Sequence, residues 1–163
     1  MQTEVVLCLG GNKGDREKLL SRAVESISSR FLLVKLSNVY ETEAWGGVAK
    51  GKFLNQLAVI STSQSALEVL EVIQGIEAEL GRTREEPWGD RTMDIDILFY
   101  GEEIIDLKNL KVPHPFIAER RFVLVPLTAL FSERKHPISG KTLAQMLEEC
   151  GDKSEVKSYF SKT

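Results

Sequence analysis

The sequence has few cysteines, no long apolar run and no excess of positive charge. Two cysteines among 163 residues are too few for the disulfide framework of a small secreted protein, so a reducing cytoplasm is the expected location. No apolar stretch approaches the about 20 residues of a membrane-spanning helix, and we expect no signal peptide. The net charge of −3 argues against broad nucleic-acid binding, although a local basic pocket is compatible with it.

The bulk composition is that of an ordinary globular protein. A hydrophobic fraction of 42% and a charged fraction of 28% are typical of a soluble domain with a sizeable core. We find no repeat and no low-complexity linker. The sequence therefore predicts a single domain over residues 1–163, in which the polar residues from about 152 to 163 are expected to fray.

Hydrophobic periodicity predicts an alternation of strands and helices. Apolar residues at helical spacing predict a helix over residues 15–30, and Ser65 with Glu68 forms a capping box that starts a helix over residues 64–80. Strands are predicted over residues 5–9, 31–40, 53–61, 94–100 and 122–127, a short helix over 116–121 and a last helix over 142–150. This order favours a single-domain α+β fold of the ferredoxin-like type, a mainly antiparallel sheet with helices packed on it.

A glycine-rich segment over residues 10–15 follows the first predicted strand. It lacks the spacing of a P-loop and of the dinucleotide-binding G-x-G-x-x-G motif. Taken alone, a tight turn that ends in an aspartate helix cap explains it better than a phosphate-binding loop.

The most informative stretch is the predicted strand that begins at Asp94. Because strand side chains alternate, Asp94 and Asp96 share one face, about 7 Å apart. Such a pair suits a hard divalent cation like Mg²⁺, which shares its oxygen ligands with substrate phosphates. The alternative is a solvated edge or a salt-bridged face. Nearby cationic residues favour a polyphosphate ligand, namely Arg82, Arg84, Arg91 and His114.

Three further features have both a functional and a structural interpretation. Trp45 lies in a glycine-rich loop, where it could close over a ligand or pack on the surface. Gln74 and Glu77 share a helix face, which solvent exposure alone would explain. His114 is held between two prolines, a rigid placement that suits a phosphate ligand or proton donor, although a lone histidine is usually structural.

Several motifs resemble the 6-hydroxymethyl-7,8-dihydropterin pyrophosphokinase family of folate biosynthesis, and the likeness covers nearly the whole chain. The most specific is R-T-x-D-x-D at residues 91–96, followed by V-P-H-P at residues 112–115. The other matching stretches are Gly10-Gly11-Asn12, Tyr40-Glu41-Thr42, Phe53-Leu54-Asn55, Gly81-Arg82-x-Arg84, Trp88-Gly89 and Arg120-Arg121-Phe122-Val123-Leu124-x-Pro126-Leu127.

The resemblance implies an enzyme that transfers a pyrophosphoryl group from ATP to the pterin hydroxymethyl oxygen, releases AMP and uses two Mg²⁺ ions. The implied catalytic residues are Arg82, Arg91, Asp94 and Asp96, and the two aspartates would hold the metal. The implied ATP contacts are Gln74, Glu77, Arg84, Trp88, His114 and Arg120. The implied pterin contacts are Thr42, Trp45, Phe53, Asn55 and Phe122.

The chain departs from the family pattern at two places. Phe53 stands where many relatives carry Tyr, so stacking on the pterin is kept while any hydroxyl contact is lost. Some relatives carry an arginine near Asn109, where Lys108 or Lys111 could substitute, and this contact is left unassigned.

Two other functions compete with this interpretation. One is a different Mg²⁺-dependent nucleotidyl- or phosphotransferase on a ferredoxin-like fold. The other is a non-catalytic nucleotide- or RNA-binding module, which the acidic balance and the absence of an aromatic-rich RNA-binding strand motif disfavour. The expected partners are small-molecule substrates, without nucleic acid or membrane, and the protein is expected to be a cytoplasmic monomer.

Overall fold

The computed structural model describes residues 2–43, 51–81 and 92–159. Within these residues, six strands form the main sheet: β1 Thr3–Gly11, β2 Leu32–Leu36, β3 Tyr40–Thr42, β4 Phe53–Thr62, β5 Asp94–Tyr100 and β8 Val156–Ser158. A separate short hairpin between β5 and β8 consists of β6 Ile105–Asp106 and β7 Lys111–Val112. The helices are α1 Arg16–Arg30, α2 Ala66–Glu79, α3 Arg121–Phe131 and α4 Leu143–Glu149, with a single 3₁₀ turn at Ile117–Glu119.

The sheet is antiparallel throughout its described pairings. Its strand order is β5-β1-β4-β3-β8, and β2 pairs with the part of β4 that β3 leaves open. Helices α1 and α2 each follow a strand and return the chain to a strand in the same sheet, as in a ferredoxin-like unit. The predicted α+β fold, a mainly antiparallel sheet with helices packed on it, is confirmed.

Strand alternation divides the interior into two cores. Leu7 and Leu9 of β1 point toward α1 and α2, where they join Ile95 and Ile97 of β5. Val6, on the other side of β1, packs with residues of α3 and α4. Both faces of the sheet are therefore covered by helices, and we call them the α1/α2 face and the α3/α4 face.

Local capping explains where the first two helices begin. Asp15 accepts a hydrogen bond from the Lys18 N–H at 3.2 Å and caps α1. Ser65 and Glu68 form the predicted capping box of α2. Within α2, Leu67 is 46% exposed while Val69 is fully buried, so Val69 faces the core.

Two predicted strands are corrected by the structure. Residues 122–127 lie in α3, since a short apolar run fits a buried helix as well as a strand. Residues 31–40 form two strands rather than one, because β2 contains a register shift between Leu33 and Lys35 and ends before β3.

The carboxyl-terminal segment is more ordered than predicted. Residues 156–158 form β8 and pair with β3, so the expected fraying is wrong for this part of the tail. In the described part of the chain, no helix has the length and apolar character needed to cross a membrane.

Candidate active site

A pocket opens on the α3/α4 face at the end of the sheet where β1 finishes. The space inside it, about 520 Å³, includes open solvent at its mouth. The lining residues are Cys8, Gly10, Thr42, Glu43, Phe53, Asn55, Asp94, Asp96, Arg120 and Phe122. The sheet supplies most of this lining, and the start of α3 supplies the opposite wall.

Strand register aligns the floor of the pocket. Gly10 of β1 lies directly between Asp94 of β5 and Asn55 of β4. Two strand spacings separate the aspartate from the asparagine, which corresponds to about 10 Å between their strands. Because Gly10 has no side chain, the Asn55 amide can lie over this residue.

The amide of Asn55 has a fixed orientation. Asn55 is 3% exposed, and its Nδ2 donates to the Thr42 hydroxyl oxygen at 2.8 Å. A Cβ at Gly10 would lie 2.4 Å from the Asn55 Oδ1, well inside van der Waals contact. Gly10 is therefore required for the present position of the Asn55 side chain, and the earlier interpretation of this glycine as part of a tight turn missed that contact.

Asp94 and Asp96 form an oxygen donor pair that fits a hard divalent cation. Both side chains are half-buried, and both line the pocket from the same face of β5. Across the described residues, no group of three or more His, Cys, Asp or Glu side chains is arranged to hold a metal ion. The donor set thus suits Mg²⁺, which commonly takes one or two carboxylates and completes its coordination with substrate phosphate and water.

Glu77 supports the strand that carries this pair. Its side chain is buried at 3% exposure, so the interpretation of an exposed helix face is wrong for Glu77, whereas Gln74 is exposed. Glu77 Oε2 accepts a hydrogen bond from the Ile95 N–H at 2.8 Å. Since Ile95 lies between Asp94 and Asp96, this bond fixes the backbone from which both carboxylates project.

His114 approaches the pair from the segment that follows β7. Its Nδ1 accepts from the Phe116 N–H at 3.1 Å, so a neutral ring carries its proton on Nε2. That Nε2 lies 3.9 Å from Asp96 Oδ2. Burial and the charge of Arg120 lower the pKa of His114 to about 4, against the opposite effect of Asp94. At neutral pH His114 is therefore an uncharged hydrogen-bond donor.

Arg120 and Phe122 form the wall opposite the sheet. Arg120 is 8% exposed, and its guanidinium lies 5.1 Å from the ring centroid of Phe116 and 5.6 Å from that of Phe122. Cation–π contacts of this kind hold the charge in place without neutralising it. Phe122 and Phe53, on the sheet side, give the pocket two aromatic rings.

Cys8 and Glu43 also line the pocket and were not predicted as site residues. Cys8 is buried, with 6% of its surface exposed. It pairs with Asp96 across β1 and β5. Burial and the neighbouring Asp96 raise the pKa of the Cys8 thiol, which keeps it protonated. Only the strand register, which a single sequence does not reveal, places this thiol beneath the site.

Seven of the predicted site residues line this one pocket, namely Thr42, Phe53, Asn55, Asp94, Asp96, Arg120 and Phe122. The lining does not include Gln74, Glu77 or His114. Glu77 nevertheless contacts Ile95, and His114 contacts Asp96. Five predicted site residues lie outside the described residues: Trp45, Arg82, Arg84, Trp88 and Arg91.

Comparison with known protein families gives an extended match. The sequence model of the family described as 7,8-dihydro-6-hydroxymethylpterin-pyrophosphokinase (HPPK) matches residues 6–132. The 2-amino-4-hydroxy-6-hydroxymethyldihydropteridine pyrophosphokinase of Aquifex aeolicus is 41% identical over 145 residues, which cover 89% of this chain and 91% of the relative. The Bacillus subtilis protein of the same name is 40% identical over 162 residues, with 98% and 97% covered.

Solved structures support the fold independently. The wild-type HPPK-DHPS of Plasmodium falciparum with pteroate aligns with a TM-score of 0.73 at 18% identity. The alignment covers 91% of this chain and 42% of the Plasmodium chain, so this chain spans less than half the length of that protein. At this identity the likeness concerns the fold alone.

Proposed function

The chain belongs to the 7,8-dihydro-6-hydroxymethylpterin-pyrophosphokinase family, and from this premise we propose that it transfers pyrophosphate from ATP to 6-hydroxymethyl-7,8-dihydropterin in folate biosynthesis. The pterin hydroxymethyl oxygen forms a bond to the β-phosphorus of ATP, and the bond between that phosphorus and the α,β-bridging oxygen breaks. AMP leaves, and the hydroxyl proton passes to solvent. The observation that carries the proposal is one pocket that combines a carboxylate pair with an aromatic and amide clamp.

The pterin fits the part of the pocket formed by β3, β4 and α3. A pterin is flat, with hydrogen-bonding groups along its edge, so it suits the space between Phe53 and Phe122. Asn55 would read the edge of the ring, and the hydrogen bond to Thr42 holds its amide in one orientation. Since a hydrogen bond within the protein sets that orientation, little side-chain freedom would be lost on binding.

The triphosphate of ATP fits the part formed by β5, His114 and Arg120. Asp94 and Asp96 would hold Mg²⁺, which when bound neutralises phosphate charge and draws the reacting groups together. Arg120 brings a positive charge from α3, and the Nε2–H of neutral His114 is a donor for a phosphate oxygen. These residues supply positioning and charge stabilisation, which phosphoryl-type transfers require more than a strong base.

The remaining assignments follow from the family resemblance. Gln74 and Glu77 would lie near the nucleotide, and two Mg²⁺ ions would be bound. The arginines and tryptophans outside the described residues keep their predicted roles, with Arg82 and Arg91 catalytic, Arg84 and Trp88 at ATP and Trp45 at the pterin. We further propose that residues 1–163 act as one domain, and as a monomer in the cytoplasm.

Product analysis by phosphorus NMR tests the proposal. The protein would be mixed with ATP, MgCl₂ and 6-hydroxymethyl-7,8-dihydropterin, with a parallel sample that contains EDTA. We expect AMP and a pterin pyrophosphate in equal amounts, and no AMP in the EDTA sample. Formation of ADP, or absence of a phosphorylated pterin, would contradict the proposed transfer.

A further inference from the structure

Helix α3 presents Arg120 and Phe122 to the pocket but lacks a cap of its own. The residue before its first turn is Arg120, whose side chain makes no capping hydrogen bond, and the first turn contains no acidic residue. The first N–H groups of a helix have no partner within the helix, so such a start requires an acceptor from elsewhere.

Asp152 supplies that acceptor from 31 positions further along the chain. Its Oδ2 accepts a hydrogen bond from the Arg121 N–H at 3.1 Å. The other oxygen, Oδ1, accepts from the N–H and the hydroxyl of Ser154 at 3.0 and 2.6 Å. A carboxylate is favourable at a helix amino terminus because of the helix dipole. Arg121 is flanked by Arg120 and Phe122, so this one bond fixes the backbone between two pocket residues.

The charged form of Asp152 is stabilised by the same contacts. Burial acts to raise the pKa of the carboxyl group, but the hydrogen bonds from Ser154 and Arg121 and the charge of Arg121 outweigh it. The resulting pKa lies below its usual value, so the carboxylate remains ionised at neutral pH.

Beyond Asp152 the chain crosses to the sheet side of the pocket. Strand β8 pairs with β3, with Val156 opposite Thr42. The Tyr159 N–H then donates to the Val39 carbonyl at 2.8 Å, and the Tyr159 hydroxyl donates to Glu17. Thr42 is the residue that orients the Asn55 amide. The segment from Asp152 to Ser158 therefore contacts both walls of the pocket, α3 through Asp152 and the sheet through β8.

We propose that the segment from Asp152 to Ser158 is a positioning element that holds the α3 wall and the sheet wall of the pocket at the spacing required for the pterin. Asp152 is its positioning residue for Arg120 and Phe122, and it acts through the Arg121 N–H without touching substrate. The matched family region ends at residue 132, before this segment begins. This inference rests on the proposed function, since it assigns the pterin to the space between the two walls.

Three variants of the full chain test the proposal. Asp152→Ala removes the acceptor for Arg121, and Asp152→Asn keeps one acceptor oxygen, which can serve Arg121 or Ser154 but not both. Glu155→Ala is the matched control. It removes the same charge from an exposed side chain three residues further along the chain, which forms an ion pair with Lys157. Pterin affinity would be measured by fluorescence in the presence of a non-hydrolysable ATP analogue, together with KM and kcat, and with hydrogen exchange of residues 121–131.

For Asp152→Ala we expect pterin KM and Kd to rise about five- to tenfold, the change that corresponds to losing one capping interaction. We expect kcat at saturating pterin to stay within about twofold, and exchange at the start of α3 to become faster. Glu155→Ala should remain within about twofold of wild type, and Asp152→Asn, which can keep the bond to Arg121 only by giving up those to Ser154, should lie between wild type and Asp152→Ala.

Faster exchange in Asp152→Ala with an unchanged pterin Kd would overturn the proposal, because the cap would then stabilise α3 without acting on the pocket. A lower kcat with an unchanged KM would overturn it too, since that pattern indicates only a smaller folded fraction. Failure of the proposed function has a different result: wild-type protein that binds no pterin, with the exchange difference between Asp152→Ala and Glu155→Ala intact.

Discussion

The two faces of the sheet use the same strands for different purposes. On the α1/α2 face, β1 and β5 contribute Leu9, Ile95 and Ile97 to a closed apolar core. On the α3/α4 face, neighbouring positions of the same strands contribute Gly10, Asp94 and Asp96 to the pocket. Adjacent residues of β5 therefore have different roles. Ile95 and Ile97 stabilise the core, whereas Asp94 and Asp96 line the pocket.

This division gives the site a rigid base. The carboxylates and the Asn55 amide project from strands whose opposite face is packed against two helices, so the geometry of the floor depends on the whole core. The α3 wall begins at Arg121, whose N–H donates to the Asp152 carboxylate. The comparison predicts that substitutions on the pocket side change activity, whereas those on the core side change stability.

The largest effect is expected for Asp96→Ala. Loss of one carboxylate from the proposed metal pair should lower kcat by about 10²–10³-fold, the typical effect of removing one charge-stabilising group. The melting temperature should change little, because Asp96 is half-buried and belongs to neither apolar core. Initial rates of AMP formation and a thermal melt would measure both. Asp106→Ala, which removes an exposed carboxylate paired with Lys111, is the control, and full activity of Asp96→Ala would contradict the metal assignment.

Ile97→Ala, at the residue next to Asp96, is expected to lower stability and to leave activity nearly unchanged. Ile97 is 4% exposed and packs in the α1/α2 core. Truncation of a buried isoleucine should lower the free energy of unfolding by about 2–5 kcal/mol, while kcat per folded molecule stays within about threefold. Urea denaturation and active-site titration would test this prediction. A fall in kcat per folded molecule of much more than threefold would show that the core face cannot be changed without affecting the pocket.

An intermediate effect is expected for Gly10→Ala. The added methyl group would lie 2.4 Å from the Asn55 Oδ1, so the amide must move away from the pocket. We expect the KM for pterin to rise about tenfold, with a smaller effect on the KM for ATP. Gly75→Ala is the control, because nothing lies within 4 Å of its added Cβ, and it should stabilise α2 by up to about 1 kcal/mol. Equal pterin KM values in the two variants would exclude the proposed role of Asn55.

The smallest effect concerns the pH dependence of stability. His114 has a pKa of about 4 in the folded protein and 6.5 as its ordinary value, so between these pH values the unfolded state binds more protons. Its contribution is therefore fully present above pH 6.5 and is lost as the pH falls toward 4, by at most about 1.4 kcal/mol per pH unit. His114→Asn, whose Oδ1 can replace Nδ1 as the acceptor, should show a flatter profile. Denaturation between pH 4 and 7 would measure the difference, and equal slopes would contradict the low pKa.

The chemistry of the site could be predicted largely from local sequence. Alternation on a β-branched strand places Asp94 and Asp96 on one face, and the motif resemblance brought the other polar and aromatic lining residues into one site. Element boundaries were less predictable. Residues 122–127 were assigned to a strand because a short apolar run has no decisive period, and packing against α4 determines that they are helical.

Features that depend on distant pairing could not be predicted. The role of Gly10 follows from its register with Asn55, 45 positions away, and the burial of Glu77 follows from the docking of α2 beside β5. Likewise, β8 is polar and shows no strand periodicity, yet it pairs with β3 more than 100 residues earlier. Strand register and helix docking depend on contacts between distant parts of the folded chain, so the composition of a short stretch does not predict them.

The proposed function requires that metal and nucleotide bind on the α3/α4 face of the sheet. Paramagnetic NMR would test it most directly, with Mn²⁺ in place of Mg²⁺ as another oxygen-preferring cation and a non-hydrolysable ATP analogue added to nitrogen-15-labelled protein. We predict that amide signals of Gly10, Asp96 and Asn55 broaden, that those of Ala23 and Ile27 in α1 do not, and that Asp96→Ala abolishes the effect. Broadening centred on α1, or unchanged broadening in Asp96→Ala, would contradict binding at the carboxylate pair.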